Sequence, residues 1–521
     1  MRSKRIISGL LAAMMLFGLA GCGEEQPLGT TKNETTEGTT AETTVETTVQ
    51  ATEGTPEETV DVGVETTPIV PLAFLSDVDV RFKKQEDGFV KVYAKSELDE
   101  RTGKVIVVDM DSAKQTIDGF GASFTDTATY LFDSLSEETR KDVLTKLFDD
   151  EKGIGLDLLR NPIGACDFSL EYYTYNDLPE GETDYELEHF DFSKAAGQVA
   201  LTKQAMEINP DIKLFLAPWS APLWMKTKYE WNTATAMTKL RRDCYNVYAD
   251  YLVKCIQGYE DQGVPVYALS VQNEPLIITN WPSMYWEWEQ LADFTVDRMV
   301  PALEEAGLTT KILNLDHNWQ RLEEGGWELM AATVGSANGM AFHWYNGDPE
   351  IMAEVAEKFP NIDMYVTEAS YDRPADLGCM MEVCSKAVRS LRSGAQGYIM
   401  WNMAIGPNGG PTYNDVNLQN SGLVTIDDQT GTATFTGDFY SMAHFSKFIH
   451  QGAVALSSTD TGADSGYKLT NIVTRNPNGT MTAVLVNRMR EDVVCKLVVG
   501  DQVMEVNMAA RSIVTLTWGG N

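Results

Sequence analysis

The signals of a metal or nucleotide site are missing from this sequence. Its five histidines are scattered, there is no HExxH pair, and no glycine-rich phosphate loop follows an apolar run. Histidines and cysteines do not occur together at metal-ligand spacing either. The sequence therefore predicts no metal ion and no cofactor.

Basic residues are scarce relative to acidic ones. The chain has 41 Lys and Arg residues against 76 Asp and Glu residues, a formal net charge of −35 at pH 7. Such a surface repels phosphate backbones and anionic lipid headgroups. We therefore expect no nucleic-acid partner and no adhesion of the acidic surface to anionic lipid.

Cysteines are few, and their positions do not suggest a disulfide framework. Two of the seven, Cys244 and Cys255, lie in one predicted helix. Eleven residues of helix separate their Cα atoms by about 16 Å, which is too far for a bridge. We predict mostly buried free thiols.

The apolar run near the N-terminus is too short to span a bilayer comfortably. It follows a basic start, "MRSKR", and ends at Leu19-Ala20-Gly21-Cys22, the order of a secretion signal. Those four residues resemble the bacterial lipoprotein signal, in which the cysteine carries lipid. We predict a signal peptide at 1–22, lipidation of Cys22, and a protein held on the extracellular face of a bacterial membrane by that anchor only. An ordinary signal peptide with a chance cysteine would give a secreted protein instead.

The next segment has little that could form a core. Residues 23–67 are rich in threonine and glutamate and contain no aromatic residue. Such a composition buries too little apolar surface to offset the entropy of ordering. We predict a disordered, acidic linker over 23–67.

Eight short apolar runs, most of them followed by a helical pattern, fill residues 113–445. They are 117–124, 155–163, 212–220, 266–275, 311–319, 340–345, 363–370 and 395–404. In the first helical segment, Ser134 and Glu137 suit a capping box, and the apolar face consists of Val143, Leu144, Leu147 and Phe148. Eight alternating units predict an α/β protein with a (β/α)8 TIM barrel rather than a doubly wound sheet.

Two carboxylates stand at the ends of these runs. Glu274 ends the fourth and Glu368 the seventh. The C-terminal ends of barrel strands converge on one mouth, where strands four and seven face each other across room for a ligand. Hydrolysis of a sugar acetal needs one carboxylic acid and one carboxylate in that arrangement. We therefore predict Glu274 as the acid/base, with a raised pKa, and Glu368 as its partner.

Other side chains at strand ends suit a sugar ligand. Asn273 beside the acid could hydrogen-bond a sugar hydroxyl whose interaction strengthens in the transition state. Trp219 and Trp401, each at the end of a run, are candidate faces for sugar stacking.

Eight motifs occur in order along the chain: "QTIDGFGASFTDTATYL", "LLRNPIGACDFSLEYYTYND", "LAPWSAPLWMKT", "VQNEP", "FHWY", "VTEAS", "WNMAIGPNGGP" and "HFSKFI". Together they resemble the glucosylceramidase family of retaining β-glycosidases, glycoside hydrolase family 30. The resemblance implies a barrel joined to a β-sandwich built from both flanks, 68–112 and 446–521, and both flanks alternate like strands.

The resemblance also assigns roles by motif. It implies that Glu274 is the acid/base and Glu368 the nucleophile, which Arg160 would hold ionised and oriented. The substrate-binding positions that it implies are Asp167, Trp219, Asn273, Tyr345 and Trp401.

The resemblance narrows the substrate to a few β-linked sugars. The resemblance implies a β-linked glucan, such as β-1,6-glucan, or a glucosylated lipid, such as glucosylceramide. Two other functions remain open: a non-catalytic carbohydrate-binding lipoprotein, and a transglycosylase that uses the same covalent intermediate.

Overall fold

The computed structural model describes residues 69–371, 373, 375–416, 419–459 and 468–519. The predicted signal peptide at 1–22, the lipidation site Cys22 and the predicted linker at 23–67 lie outside the described residues. Among the described residues, no helix is both long and apolar enough to span a bilayer.

The first flank contributes four strands before the barrel begins. They are β1 (Leu72–Ser76), β2 (Lys83–Lys84), β3 (Val90–Ala94) and β4 (Lys104–Ile117). β4 alternates between buried and exposed positions, so one of its faces is covered and the other is wet. Only Asp118 separates β4 from the first barrel strand, which fixes the flank to the bottom of the barrel.

All eight predicted barrel strands are confirmed. They are β5 (Gly119–Ser123), β6 (Leu158–Ile163), β7 (Lys213–Pro218), β8 (Val266–Ser270), β9 (Lys311–Asn318), β10 (Gly339–His343), β11 (Asp363–Glu368) and β12 (Gly397–Met400). They pair in parallel in sequence order, and β12 pairs with β5 to close the barrel. Apolar side chains such as Phe215, Leu313 and Ile399 fill the interior, so the barrel is a packed core that opens only at its ends.

Helices connect the strands on the outside. They are α1 (Asp126–Ser134), α2 (Glu137–Phe148), α3 (Ala196–Ile208), α4 (Tyr245–Asp261), α5 (Trp288–Phe294), α6 (Val300–Glu305), α7 (Gly326–Thr333), α8 (Ile351–Lys358), α9 (Leu377–Arg392) and α10 (Gly437–Ser446). A π-helical segment, Thr295–Met299, joins α5 to α6. Because parallel strands need a crossover connection, these helices complete the predicted strand–helix units.

The predicted N-cap of α2 was wrong by two residues. Ser134 is the last residue of α1, and the cap of α2 is Ser136, whose Oγ accepts from the backbone N–H of Thr139. The predicted apolar face of α2 is confirmed, since all four of its residues are buried: Val143, Leu144, Leu147 and Phe148. The thiols of Cys244 and Cys255 are also buried, as predicted.

After the barrel, the chain forms a small sheet and then the second flank. The small sheet contains β13 (Ala404–Ile405), β14 (Val424–Asp427) and β15 (Thr432–Phe435). The flank contains β16 (Ala453–Ser458), β17 (Leu469–Arg475), β18 (Met481–Asn487), β19 (Val493–Val499), β20 (Gln502–Met508) and β21 (Ser512–Trp518). Strands of both flanks form one curled sheet of ten, in the order β2-β1-β21-β18-β17-β16-β4-β19-β20-β3. Its two halves enclose one apolar core, in which Leu485 of β18 and Leu497 of β19 both lie. The predicted β-domain from both flanks is confirmed.

The bottom of the barrel is tied together by one carboxylate. Asp118 accepts from Lys213 Nζ at 2.6 Å, and its other oxygen accepts from the hydroxyls of Tyr365 at 2.5 Å and Tyr267 at 3.2 Å. These partners come from β7, β11 and β8. A single side chain therefore connects three strands at the end opposite the mouth.

Replacing that carboxylate tests its contribution to stability. We expect Asp118→Ala to lower the free energy of unfolding by about 2–3 kcal/mol, because it leaves a cation and two hydroxyls without their acceptor. The matched control is Asp142→Ala, which removes an exposed ion pair with Lys146 and should cost less than about 0.5 kcal/mol. Urea denaturation measures both values, and equal losses would contradict the argument.

Candidate active site

The predicted site residues gather at the mouth of the barrel. Arg160 lies in β6, Glu368 ends β11, and the others follow strand ends closely. Asp167 follows β6, Trp219 follows β7, Asn273 and Glu274 follow β8, Tyr345 follows β10, and Trp401 follows β12. Since all eight strands run in parallel, these side chains lie at one end of the barrel.

The structure brings Glu274 and Glu368 to a common neighbour, His343. The His343 Nδ1 lies 3.0 Å from Glu274 Oε1 and 3.9 Å from Glu368 Oε2. The two carboxylate oxygens are therefore no more than about 6.9 Å apart, the sum of those distances. Both side chains are nearly buried, with 7% and 6% of their residue surface exposed.

A buried guanidinium organises the floor of this mouth. Arg160 donates from Nη1 to Glu368 Oε2 at 2.9 Å, and from Nη2 to Asn273 Oδ1 at 2.7 Å and Asp316 Oδ2 at 3.0 Å. Burial alone would lower the pKa of Arg160, but Asp316 and Glu368 raise it, so the guanidinium stays charged. The same contacts keep the pKa of Asp316 below its usual range despite burial.

Tyr345 supplies a second donor to the same carboxylate. Its hydroxyl donates to Glu368 Oε1 at 2.9 Å, while 42% of the residue remains exposed. Burial of the hydroxyl and the charge of Glu368 hold the pKa of Tyr345 well above its ordinary value, so the hydroxyl keeps its proton. Both oxygens of Glu368 therefore accept hydrogen bonds, from Arg160 and from Tyr345.

Asp316 and His317 lie near the end of β9 and His343 ends β10, and the sequence predicted no role for these residues. The His343 Nε2 lies 3.1 Å from Asp316 Oδ1, which also accepts from Thr367 Oγ1 at 2.7 Å. Burial would lower the pKa of His343, but the carboxylates of Glu368, Asp316 and Glu274 raise it to about 10. His343 is therefore an imidazolium that donates to two carboxylates.

Glu274, His317 and His343 lie close enough to be considered as metal ligands, with candidate atoms within 4.8 Å of one another. No sequence spacing pointed to this group, because its members come from three different strands. The arrangement does not fit a metal, since a protonated His343 has no lone pair to offer. Burial lowers the pKa of His317 to about 4, so that ring is neutral.

The site holds two positive groups, Arg160 and His343, and three carboxyl groups. One proton on a carboxyl would make this buried cluster neutral, and interacting carboxyls share such a proton as a pair. Burial raises the pKa of Glu368, whereas His317 and His343 hold the pKa of Glu274 below its usual range against the effect of burial. The predicted rise in the pKa of Glu274 is therefore wrong, and these directions by themselves favour a proton on Glu368.

The hydrogen bonds favour the opposite arrangement. A proton on Oε2 of Glu368 would displace Arg160, which cannot accept a hydrogen bond, and a proton on Oε1 would require the Tyr345 hydroxyl to turn from donor to acceptor. Glu274 accepts from His343 through Oε1, and no other described residue donates to its Oε2. A proton can sit on that oxygen without breaking any contact.

Two tryptophans form the side wall next to Arg160. The rings of Trp219 and Trp401 are stacked at 5.1 Å, and the Arg160 guanidinium lies 4.9 and 5.6 Å from their centroids. Trp401 Nε1 lies 3.4 Å from Asp167 Oδ2. Only 2% and 1% of the two tryptophans is exposed, so little of either ring is open to a sugar.

Backbone strain marks the same place. Glu274 and Asp316 have φ values of 44° and 43°, in the left-handed region that residues other than glycine seldom adopt. The two residues are joined, since the Glu274 N–H donates to the Asp316 carbonyl at 2.9 Å. Strain of this kind persists where the surroundings fix a residue for function.

The comparisons with known proteins agree with this geometry. The family model for the glycosyl hydrolase family 30 TIM-barrel domain matches residues 117–449. An endo-1,6-β-D-glucanase of Neurospora crassa is 30% identical over 443 residues, 83% of this chain and 91% of that protein. The lysosomal acid glucosylceramidase of Mus musculus is 29% identical over 421 residues, 75% of this chain and 79% of that protein. The solved structure of the endo-β1,6-glucanase BT3312 superposes with a TM-score of 0.76 at 26% identity, over 87% of this chain and 99% of that one.

The charge on His343 can be tested through stability. Its pKa is raised from 6.5 to about 10 in the folded protein, so its stabilising contribution is complete below pH 6.5 and is lost as pH rises through about 10. We expect His343→Gln to be less stable than the wild type at pH 6, and the difference to shrink steadily towards pH 10. Denaturant unfolding across that range measures it.

The control for this change is His189→Gln, at a ring whose side chain is 65% exposed. It should change the free energy of unfolding at pH 6 much less than His343→Gln does. Parallel wild-type and His343→Gln curves over pH 6–10 would show that the imidazole carries no such charge.

Proposed function

We propose, from the premise that this chain belongs to glycosyl hydrolase family 30, that it cleaves β-glucosyl linkages by double displacement with retention of configuration. The protein is a glycoside hydrolase, and the mouth of its barrel holds the two carboxyl groups that this chemistry uses.

The spacing of those groups supports retention. In retaining glycosidases the carboxyl groups are about 5–5.5 Å apart, and in inverting ones about 6.5–9.5 Å, which leaves room for a water. The upper limit of about 6.9 Å between the Glu274 and Glu368 oxygens excludes nearly all of the inverting range. This one observation carries the proposed mechanism.

In the first step Glu368 is the nucleophile. Its carboxylate attacks the anomeric carbon while Glu274 gives its proton to the leaving oxygen, so the glycosidic bond breaks as a glycosyl–Glu368 ester forms. The donors from Arg160 and Tyr345 hold the carboxylate ionised and aimed. Burial removes competing water from the nucleophile.

In the second step Glu274 has become a carboxylate and acts as the base. It takes a proton from a water that attacks the same anomeric carbon, and Glu368 leaves as a carboxylate. This second inversion restores the original configuration of the sugar. The imidazolium of His343 is 3.0 Å from Glu274 Oε1, so it stabilises the charge that develops there after proton donation.

The glucosyl unit follows from the relatives. An endo-1,6-β-D-glucanase and an acid glucosylceramidase are about equally similar to this chain, and the substrates in their names share a β-linked glucose. We propose that this mouth binds that glucose. Asn273 and Asp167 would be its polar contacts, and Trp219 and Trp401 its apolar contacts.

We also propose that the protein is lipid-anchored at a bacterial cell surface. Leu19-Ala20-Gly21-Cys22 ends an apolar run that follows a basic start, and the Thr/Glu-rich 23–67 would act as the tether. A tethered hydrolase would cleave polymers or glycolipids outside the cell.

Substitution of each glutamate tests the mechanism. Glu368→Ala and Glu274→Ala should each lose roughly 10³-fold or more in turnover of a β-glucan, about 4 kcal/mol of transition-state stabilisation. Glu274→Ala should keep much of its kcat/KM on β-glucosyl fluoride, because that constant reports the first step and the leaving group needs little protonation. The control Glu357→Ala changes an exposed residue of α8 and should leave both activities unchanged.

The stereochemistry of the product separates the two roles. With the wild type, NMR should show the β-anomer as the first sugar released. With azide added, Glu274→Ala should give the β-glucosyl azide, in which the configuration is retained. Glu368→Ala, supplied with β-glucosyl fluoride and azide, should give the glucosyl azide of inverted configuration. A first-formed α-anomer from the wild type would rule out double displacement.

The anchor has its own test. In a bacterial host, Cys22→Ser should release the protein from the membrane fraction into the soluble fraction and abolish labelling by a fatty-acid probe. Cys255→Ser, at a buried thiol, is the matched control and should stay labelled. Labelling that survives Cys22→Ser would refute the anchor.

A further inference from the structure

Three aromatic side chains from separate loops stand together at the mouth, outside the tryptophan pair. Tyr172 follows β6, Trp231 follows β7, and Tyr413 lies between β13 and β14. The Tyr172 ring is 4.6 Å from the Tyr413 ring and 6.0 Å from the Trp231 ring. We call these three residues the aromatic wall.

The wall is not part of the barrel core. Tyr413 is 41% exposed, and Tyr172 and Trp231 are half-buried, whereas the nearby Tyr175 is fully buried in the core. The rings are tilted at 54° and 58° rather than stacked, so they leave ring surface uncovered by one another. Partly exposed aromatic surface in a concave mouth is typical of a binding site.

The wall borders the loop that carries Glu274. The Tyr172 hydroxyl is 3.5 Å from the Asn280 carbonyl, and the Ser283 N–H donates to the Trp231 carbonyl at 3.0 Å. Trp281, between them, packs on the cluster that contains Trp219 and Trp401. Since the acid protonates the leaving oxygen, the leaving group must lie beside this loop.

The wall is held in place before any substrate arrives. The Tyr413 N–H donates to the Ser169 carbonyl at 2.7 Å, which ties two loops together. Buried Lys226 donates to Ser220 Oγ at 2.7 Å, to the Ser283 carbonyl at 3.0 Å and to the Trp231 carbonyl at 3.2 Å. A preformed surface of this kind binds with little loss of conformational entropy.

Polar atoms lie among the rings. Burial, Asp167 and Tyr413 raise the pKa of Tyr172 to about 12, which shows that its hydroxyl stays protonated next to the carboxylate of Asp167. The Tyr172 hydroxyl and the Asn280 carbonyl pair with each other, but a lipid chain covering this surface would desolvate the hydroxyl of the exposed Tyr413 without pairing it. A sugar ring offers hydroxyls to those atoms and C–H groups to the electron-rich ring faces.

We propose that the aromatic wall is the subsite for the leaving group and that it binds a hexose unit, so that this enzyme acts on a glucan chain rather than on a glucosylated lipid. The proposal rests on the proposed glycosidase function and adds the identity of the aglycone.

Two substrates with the same glucose separate the wall from the catalytic centre. β-Glucosyl fluoride fills the glucose site alone, and a β-1,6-linked glucotriose also reaches the wall. Tyr172→Ala and Tyr413→Ala should each lower kcat/KM for the glucotriose about tenfold and change kcat/KM for the fluoride less than about twofold. Tyr172→Phe keeps the ring and should retain most of the glucotriose activity.

The matched control is Tyr185→Ala, an exposed tyrosine of the same loop whose hydroxyl is bonded to Asp243. It should leave both substrates unaffected. Equal losses on the fluoride and the glucotriose, or no loss on the glucotriose, would overturn the proposal while leaving the glycosidase function intact.

A third substrate tests the lipid alternative. If Tyr172→Ala lowers hydrolysis of glucosylceramide in detergent micelles more than that of the glucotriose, the wall serves a lipid and the proposal is wrong. A wild-type protein that fails to cleave β-glucosyl fluoride would withdraw the proposed function and this inference together.

Discussion

The site depends on a positive charge buried where eight strands meet. Arg160 lies at the top of the barrel interior, 1% exposed, under the rings of Trp219 and Trp401. A buried guanidinium is tolerated only when it is paired and its N–H groups are hydrogen-bonded. Its ion pair with Asp316 holds the pKa of that carboxyl low, its ion pair with Glu368 opposes the rise in pKa that burial causes there, and its bond to Asn273 orients the amide. Glu274 is the one of these three carboxyl groups that Arg160 does not contact.

The parallel strands of the barrel determine which side chains lie close enough to Arg160 to compensate its charge. Parallel strands end at the same level, so residues far apart in sequence meet without any loop having to fold inward. At the opposite end, Asp118 performs a structural role of the same kind, joining three strands through one carboxylate. The ten-stranded sheet is connected to that lower end through β4, which leaves the mouth free for loops.

The sequence predicted the parts of this arrangement that follow from local pattern. Apolar runs with polar ends were enough to place eight strands and to single out Glu274 and Glu368, because strand ends converge in any parallel barrel. The cap of α2 was misplaced because two serines lie within three residues, and only the backbone N–H of Thr139 shows which of them caps. The joining of both flanks in one β-structure was implied by the family resemblance and not by local pattern, since pairing between β4 and β16 joins segments more than 300 residues apart.

The role of His343 was beyond sequence reasoning for a different reason. A histidine at the end of a strand is usually neutral near pH 7, and nothing in "FHWY" indicates a charge. Its charge arises only because Glu274, Asp316 and Glu368 come from three other strands to surround it. The same holds for the aromatic wall, whose rings come from three loops and have no common spacing.

These two features bear on different parts of the reaction. The cluster of Arg160 and His343 contacts the two glutamates, so under the proposed function it acts on bond cleavage whatever is attached to the glucose. The aromatic wall contacts neither carboxylate, and it can act only on what leaves. Because Lys226 joins the wall to the loop next to Trp219, the two parts are nevertheless held in one fixed geometry. A change of substrate within this fold would thus require new rings on the loops and no change at the strand ends.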